Sequence, residues 1–395
     1  MGLLYNKNMP NQPKYDGYIS TAQEAFSQFR PTTFMGVCGC SRNYLFSMFS
    51  QLIGPSSKPY PIVCIDLAGT NGIDSQIAQI LSLNISTKLS VSDIGSTIPE
   101  IIAFIDTFAS SNKLGLCINL PYLEPLNKDL MQGLSQLFST HRWNFSYVLF
   151  ANSDILSDPL LNNHTISKRI RNSCNFIAPY NKEDSKRILQ IIVDQSKDHS
   201  LSSTTEDKLL TLSGGHPGLL KSLLKTFNSD PKSISNADLD ELPIIKNTLQ
   251  RIATSLPEST LKVLIETINS RVSNDDSPAL QLAKDLGILT SNGSIFSILF
   301  KDYLQNLDPE TISKGSIYST LTRSERNLYN LFTENVGLIV TRDMIADVIW
   351  GVNSTAIYSD WALDQLVYSL RKKMEELPNS GKIMTKRGEG YVYEQ

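Results

Sequence analysis

Apolar positions in the first 180 residues gather into short, nearly continuous runs, separated by segments in which they recur every three or four residues. The runs at 33–37, 61–67, 114–120, 146–151 and 175–178 predict strands, and the segments at 44–52, 73–83, 99–110 and 128–139 predict helices. Strands apolar at almost every position, alternating with helices, predict an α/β domain with a parallel sheet covered on both faces. After Pro179 the strand-like runs stop, and 182–195, 205–212 and 217–227 read as amphipathic helices of a small helical subdomain. The polar stretch 228–238 reads as a linker. Helices at 242–256, 258–271 and 278–286 then lead into 287–296, a hairpin turning on Asn292-Gly293. Three helices and a hairpin predict a first winged-helix unit, followed by a linker at 307–314.

The last segment carries the clearest pattern. A helix at 324–334, with Ser324 as its expected N-cap, places Leu328, Leu331 and Phe332 on one face. An extended piece at 338–340 reaches Thr341, a second expected N-cap, and a helix at 342–349. A third helix at 359–377 aligns Leu363, Val367, Leu370 and Met374, leaving Trp361, Gln365, Tyr368, Ser369 and Lys372 on its other face. Alternating segments at 382–386 and 391–394, joined through Gly388-Glu389-Gly390, predict a β-ribbon or wing.

Composition narrows the partners. A chain of 395 residues exceeds one ordinary core, and 41% hydrophobic with 19% charged residues is the balance of a folded, water-soluble protein. A net charge of −3 argues against broad, non-specific nucleic-acid binding, so any cationic surface must be local. From Tyr318 onward nine Lys or Arg face ten Asp or Glu, with the bases concentrated at 371–373 and 382–387. No apolar run is long enough to span a bilayer, and the first residues lack a signal-peptide core, so no membrane partner is expected. Five cysteines (Cys38, Cys40, Cys64, Cys117, Cys174), mostly within apolar runs, fit reduced thiols and a cytoplasmic location. Cys38 and Cys40 lack a second ligand pair, and His141, His164, His199 and His216 have no ligand spacing, so no metal site is expected. No catalytic residue is assigned.

The C-terminal motifs resemble the OmpR/PhoB-type effector domain. The resemblance rests on Leu321-Thr322-x-x-Glu325-x-x-Leu328, Thr341-Arg342, Trp350-Gly351, Leu370-Arg371-Lys372-Lys373-Met374-Glu375 and Thr385-Lys386-Arg387-Gly388-Glu389-Gly390-Tyr391. It implies a winged helix-turn-helix that binds double-stranded DNA, its third helix in the major groove and its wing at the neighbouring minor groove or backbone. Gln365 would then pair with adenine and Lys372 with guanine or phosphate. Arg371, Lys373, Lys382 and Lys386 suit phosphates, and Arg387 a narrow minor groove. The family usually places a four-stranded sheet before its first helix, whereas here only 316–320 could supply a strand. Trp361 and Leu366 also replace residues that are commonly polar. The open alternative is that the basic residues form a solvated face on a protein-contact module.

In the N-terminal domain, Gly36-Val37-Cys38-Gly39-Cys40-Ser41-Arg42-Asn43 lies between strand and helix, where a phosphate-binding loop belongs. Ser41 stands at the last Gly place, Arg42 at the Lys place and Asn43 at the Ser/Thr place, while Asn119 stands where an Asp would hold magnesium. With the polar-tipped strand ending at Asn152 and the Gly214-Gly215-His216-Pro217-Gly218 segment, the arrangement resembles the STAND and AAA+ ATPases. That resemblance implies a degenerate site comprising Gly36, Gly39, Ser41, Arg42, Asn43, Asn119 and Asn152, with His216 and Pro217 near any adenine. Alternatively, His216-Pro217 merely starts a helix, and Arg42 forms a salt bridge.

Together these readings predict a P-loop ATPase-like α/β parallel-sheet domain (1–180), a helical lid (181–235), a first winged helix (236–310) and a DNA-binding winged helix (315–395). The expected function is sequence-specific DNA binding by a transcription regulator. Its pseudo-ATPase module would serve homo-oligomerisation, sensing or a protein partner, with ATP or ADP bound, if at all, without magnesium-dependent hydrolysis. The alternatives are an ATP-binding switch that controls DNA binding and a non-DNA adaptor in a defence or signalling complex.

Overall fold

The computed structural model describes residues 13–52, 62–66, 98–120, 128–141, 143–157, 170, 172–196, 201–231, 239–269, 277–307, 321–350, 360–375 and 381–394. The helix expected at 73–83, most of both linkers, the strand expected at 316–320, Gly351, His164 and His199 lie outside them. Among the described residues no helix is long and apolar enough to cross a membrane. The chain divides into two compact units, residues 1–184 with 284–288 and residues 185–283 with 289–395.

The first unit is an α/β parallel-sheet domain. Its strands β1 (Thr32–Gly36), β2 (Ile62–Asp66), β3 (Leu114–Asn119), β4 (Phe145–Asn152) and β5 (Cys174–Ile177) lie in the order β2-β3-β4-β1-β5, all parallel. Each lies within a residue or so of its expected place. β1, β3 and β4 are buried at every position, which is why their apolar runs do not alternate. Helices α1 (Pro13–Ser27), α2 (Arg42–Leu52), α3 (Ile98–Ala109) and α4 (Lys128–Thr140) accompany the sheet. Met35, Ile105, Leu116, Ile118, Leu134, Tyr147 and Leu149 form the centre of one core cluster. Gly36, Asp66, Asn119 and Asn152 all end their strands at the carboxyl edge, where open parallel sheets present ligand crevices.

Helix α5 (Lys182–Ser196) is followed by α6 (Ser203–Ser213) and α7 (Pro217–Ser229). Ser202 caps α6, and Gly214, at φ 54°, terminates it in the left-handed conformation that glycine adopts most readily. Helices α8 (Pro243–Thr254), α9 (Glu258–Ile268) and α10 (Pro278–Asp285) precede a turn closed by a single bridge, Leu289 to Ile295. The expected hairpin is therefore minimal. Ser297 then caps α11 (Ile298–Asn306), a helix the apolar pattern does not announce.

The C-terminal part contains α12 (Arg323–Glu334), β6 (Ile339–Val340), α13 (Arg342–Trp350), α14 (Asp360–Glu375), β7 (Lys382–Lys386) and β8 (Gly390–Glu394). The three strands form an antiparallel sheet with β8 central. Three helices with this ribbon make a winged helix. The cap of α12 corrects the sequence reading. Thr322, not Ser324, accepts from Glu325 N–H, while the Glu325 carboxylate accepts from Thr322 N–H, a reciprocal capping box. Thr341 caps α13 as expected, accepting from Met344 N–H at 3.3 Å. Within the second unit α12 also meets α8, where buried Asn247 Nδ2 donates to Thr333 Oγ1 at 2.7 Å.

Gly390 joins the wing to the central strand at φ 142°, and a Cβ there would lie 2.3 Å from the Val340 carbonyl oxygen. Gly390→Ala should destabilise the C-terminal domain by more than about 1 kcal/mol. An unchanged urea midpoint would contradict this.

Candidate nucleic-acid interface

Helix α14 divides cleanly by burial. Leu363, Val367, Leu370 and Met374 are buried, each within 2% of full burial, and anchor the helix. At about 3.6 residues per turn, Trp361, Gln365, Tyr368 and Lys372 project roughly 140–200° away from Leu363. All four are exposed. They form one continuous outward stripe, and none has a hydrogen-bonding or ionic partner among the described residues.

The flanks of α14 behave differently. Glu325 on α12 is buried, with only 3% of its side chain exposed, yet it carries a carboxylate. It accepts from Thr322 N–H at 2.7 Å, from Lys373 Nζ at 2.6 Å and from the Ser369 hydroxyl. Burial pushes Glu325 upward, but the hydrogen bonds from Lys373, Ser369 and Thr322 outweigh it and hold the carboxyl below its ordinary value. Ser369 and Lys373, both expected to face DNA, are thus engaged in joining α14 to α12.

Arg371 is engaged as well. Its Nε donates to the Ile383 carbonyl and its Nη2 to Thr385 Oγ1, each at 2.8 Å, and its guanidinium stands 5.6 Å from the Tyr391 ring centroid. It ties α14 to both wing strands. At the other end of α14, Arg342 from α13 pairs with Asp360 at 2.8 Å and Asp364 at 2.6 Å. Tyr391 Oη donates to the same Asp364 oxygen at 2.5 Å. Burial, followed by that bond to Asp364, pushes the Tyr391 hydroxyl up to about 12, so it remains a donor at neutral pH. Arg342 and Tyr391 entered the sequence reading only within family motifs, with no role assigned to either. The complementary signal was the pair of acids four residues apart, Asp360 and Asp364, at the start of α14.

Lys382, Lys386 and Arg387 are exposed on the wing and form no ion pair among the described residues. Thr385, held by Arg371, is sequence neighbour to Lys386, so the brace couples the wing cations to the helix carrying Lys372.

The degenerate loop of the first unit is also closely connected. Gly36 ends β1, Gly39 and Ser41 have φ of 87° and 59°, and Arg42 opens α2. Arg42 is buried and donates to Asn43 Oδ1 through Nε (3.3 Å) and Nη2 (3.2 Å). Asn119 Nδ2 donates to Asn43 Oδ1 at 3.1 Å and to Asp66 Oδ1 at 2.8 Å. Asn152, 3% exposed, pairs in register with Gly36. Two amides, Asn43 and Asn119, and the Asp66 carboxylate therefore join the loop, β3 and β2. Neither Asn43 nor Asn119 carries the hydroxyl or carboxylate that a magnesium nucleotide would use, and the carboxylate present, Asp66, is engaged by Asn119. Asp66 escaped the sequence reading because it closes an apolar run. His216 takes the helix-start alternative: its Nδ1 accepts from Leu219 N–H at 3.0 Å, Pro217 occupies the first turn, and the ring is fully buried. Cys38, Cys40, Cys64, Cys117 and Cys174 form no disulfide. Among the described residues no three His, Cys, Asp or Glu side chains cluster as metal ligands.

Residues 318–393 match the family described as "Transcriptional regulatory protein, C terminal", so the chain ends in an OmpR/PhoB-type DNA-binding domain. Among curated relatives, the response regulator protein GraR of Staphylococcus haemolyticus (strain JCSC1435) is 31% identical over 93 residues, 24% of this chain and 41% of that protein. The chain thus spans about two fifths of that relative's length. Among solved structures, it is similar to a Walker-type ATPase of Pyrococcus abyssi, with TM-score 0.44, 11% identity, and coverage of 77% of this chain and 100% of that one. It is also similar to Cdc6p from Pyrobaculum aerophilum, with TM-score 0.36, 11% identity, and coverage of 99% and 92%.

Lys373→Met should lower the stability of the C-terminal domain by roughly 1–2 kcal/mol at neutral pH, because Lys373 keeps some solvent contact. Glu325 has a lowered folded pKa, so its contribution is complete above the unfolded value of about 4.3 and is lost as pH falls through the lower folded value. The variant should therefore lose less on acidification than the parent. Urea midpoints at pH 7 and pH 3 check both points, and identical midpoints at pH 7 would refute the assignment.

Proposed function

We propose that this chain is a sequence-specific transcription regulator that reads duplex DNA with the outward stripe of α14 and fastens itself with the wing. One observation carries the reading. Lys372, Lys382, Lys386 and Arg387, which form no ion pair among the described residues, sit on the helix and ribbon that Arg371 joins, while Asp360 and Asp364 at the start of that helix share Arg342. In this reading α14 lies in the major groove, which admits one helix, and Gln365 hydrogen-bonds adenine. Lys372, Lys382 and Lys386 contact phosphates, which set register without reading sequence. Arg387 enters the minor groove. Ser369, Arg371 and Lys373 act as positioning residues, because their polar groups already hold α14 to α12 and to the wing.

The proposed organisation is an α/β domain (1–180), a helical subdomain (181–235), a first winged helix (236–310) and the DNA-binding domain (315–395). The α/β domain works without magnesium-dependent hydrolysis, serving self-association or a protein partner in the cytoplasm. The amide network of Asn43, Asn119 and Asp66 supports that reading. Linking two copies would raise avidity for paired half-sites without new contacts.

Selection from a random duplex pool with the full-length chain, with and without ATP, tests the proposal. The expected result is one enriched motif, the same in both arms. Enrichment only with ATP would favour a nucleotide switch, and no enrichment at low salt would favour a protein adaptor.

Arg387→Ala should weaken binding to the selected duplex and reduce the slope of log affinity against log salt by about one. An unaltered slope with unaltered affinity would remove Arg387 from the interface. Gln365→Ala should shift base preference more than affinity, and an identical selected motif would reject that role.

A further inference from the structure

We infer that α14 selects its sites through thymine methyl groups, so that the target is an A·T-containing major-groove edge read by Trp361 and Tyr368 around Gln365. This rests on the DNA-binding reading above and specifies its substrate.

Trp361 is 72% exposed and Tyr368 63% exposed, on the same stripe as Gln365 and Lys372. Large apolar surface held in water is unfavourable unless a partner covers it. These two rings lie on the outward stripe, roughly 140–160° round the helix from the core-facing Leu363, on the side where a groove-bound helix meets bases. The floor of the major groove offers one apolar feature, the C5-methyl of thymine, beside the adenine N6 and N7 edge that a glutamine side chain matches bidentately. Apolar, amide and apolar groups in that order along α14 fit thymine, adenine and thymine edges in neighbouring pairs.

Guanine reading has little support on this helix. Guanine is most often recognised by Arg or Lys donating to O6 and N7. Of the three cations on α14, Arg371 is committed to Ile383 and Thr385, and Lys373 to Glu325. Lys372 alone remains on the stripe. The surrounding charge agrees with a polyanion as occupant. Asp360 and Asp364, the carboxylates nearest Trp361 in sequence, share the single guanidinium of Arg342, and the wing presents Lys382, Lys386 and Arg387.

The test replaces thymine with deoxyuridine in the duplex selected by the full-length protein. This removes each methyl while keeping every hydrogen-bonding group. The expected loss is about fourfold in affinity for each contacted thymine, the worth of one buried methyl-sized group. The Trp361→Ala/Tyr368→Ala double variant should bind the thymine and deoxyuridine duplexes equally. Both side chains are exposed, so the variant should melt with the parent. Equal binding of the two duplexes by the parent would overturn the inference and leave DNA binding intact. So would a selected motif without thymine, or discrimination that persists in the double variant. Failure to bind any duplex would instead overturn the DNA-binding reading on which it rests.

Discussion

A carboxylate buried between two helices demands compensation from both, and Glu325 is that group in the C-terminal domain. Leaving water is costly for a charge, so it remains ionised only where several donors converge on it. Here one donor comes from the cap of its own helix and two, Ser369 and Lys373, come from α14. The apolar face of α14 would tolerate small rotations about its axis, whereas this three-way hydrogen bonding would not. A shift of one residue turns a helix by about 100°, which would carry Lys373 away from Glu325 and bury part of the outward stripe. The direction in which Trp361, Gln365, Tyr368 and Lys372 point is therefore set by an interaction on the opposite helix.

A second set of contacts fixes the wing. Tyr391 sits between Arg342 and Arg371, with guanidinium groups 5.8 Å and 5.6 Å from its ring centroid, and it donates its hydroxyl to Asp364. One aromatic side chain on the central strand thereby touches arginines from two helices and an acid of α14. The electrostatic result matters more than the stability. The segment from Tyr318 onward has one more acid than base, so a surface attractive to phosphate arises only if its acids are paired or turned elsewhere. Glu325 is paired with Lys373, and Asp360 and Asp364 share Arg342. Exposed charges beyond about 8–10 Å are screened at ordinary salt, so the local balance, and not the net charge of −3, decides what approaches the stripe.

Much of this was legible in the chain, and the illegible parts have physical reasons. Leu363, Val367, Leu370 and Met374 announce a helix and its buried side, because burial imposes the helical period. The five parallel strands were legible because sheets covered on both faces leave no polar alternation. Helix α1 was not, since its buried residues include Ala22 and Ala25, which mark an apolar face only weakly. The roles of Ser369, Arg371 and Lys373 could not be read from spacing. They lie between the core face and the outer face of α14, where a side chain reaches neighbour or solvent depending on what packs beside it. The cap of α12 was displaced from Ser324 to Thr322 because the Thr-x-x-Glu reciprocity with Glu325 outweighs proximity to the first apolar residue.

The altered loop of the α/β unit follows a comparable logic of coupled residues. Asn119 donates to Asp66 and to Asn43 with the same amide nitrogen. An aspartate in its place would have no proton to give and would set one carboxylate against another across the 2.8 Å contact with Asp66. Like charges that close are tolerated only when one is neutralised or a cation lies between them. Asn43, with an amide oxygen already receiving from Arg42 and Asn119, supplies no hydroxyl to help hold such a cation. Residues 42, 43 and 119 are thus parts of one arrangement, in which a guanidinium, two amides and the Asp66 carboxylate join three elements through hydrogen bonds. Replacing Asn43 or Asn119 alone would break contacts on two sides, which gives a physical reason for these residues to occur together.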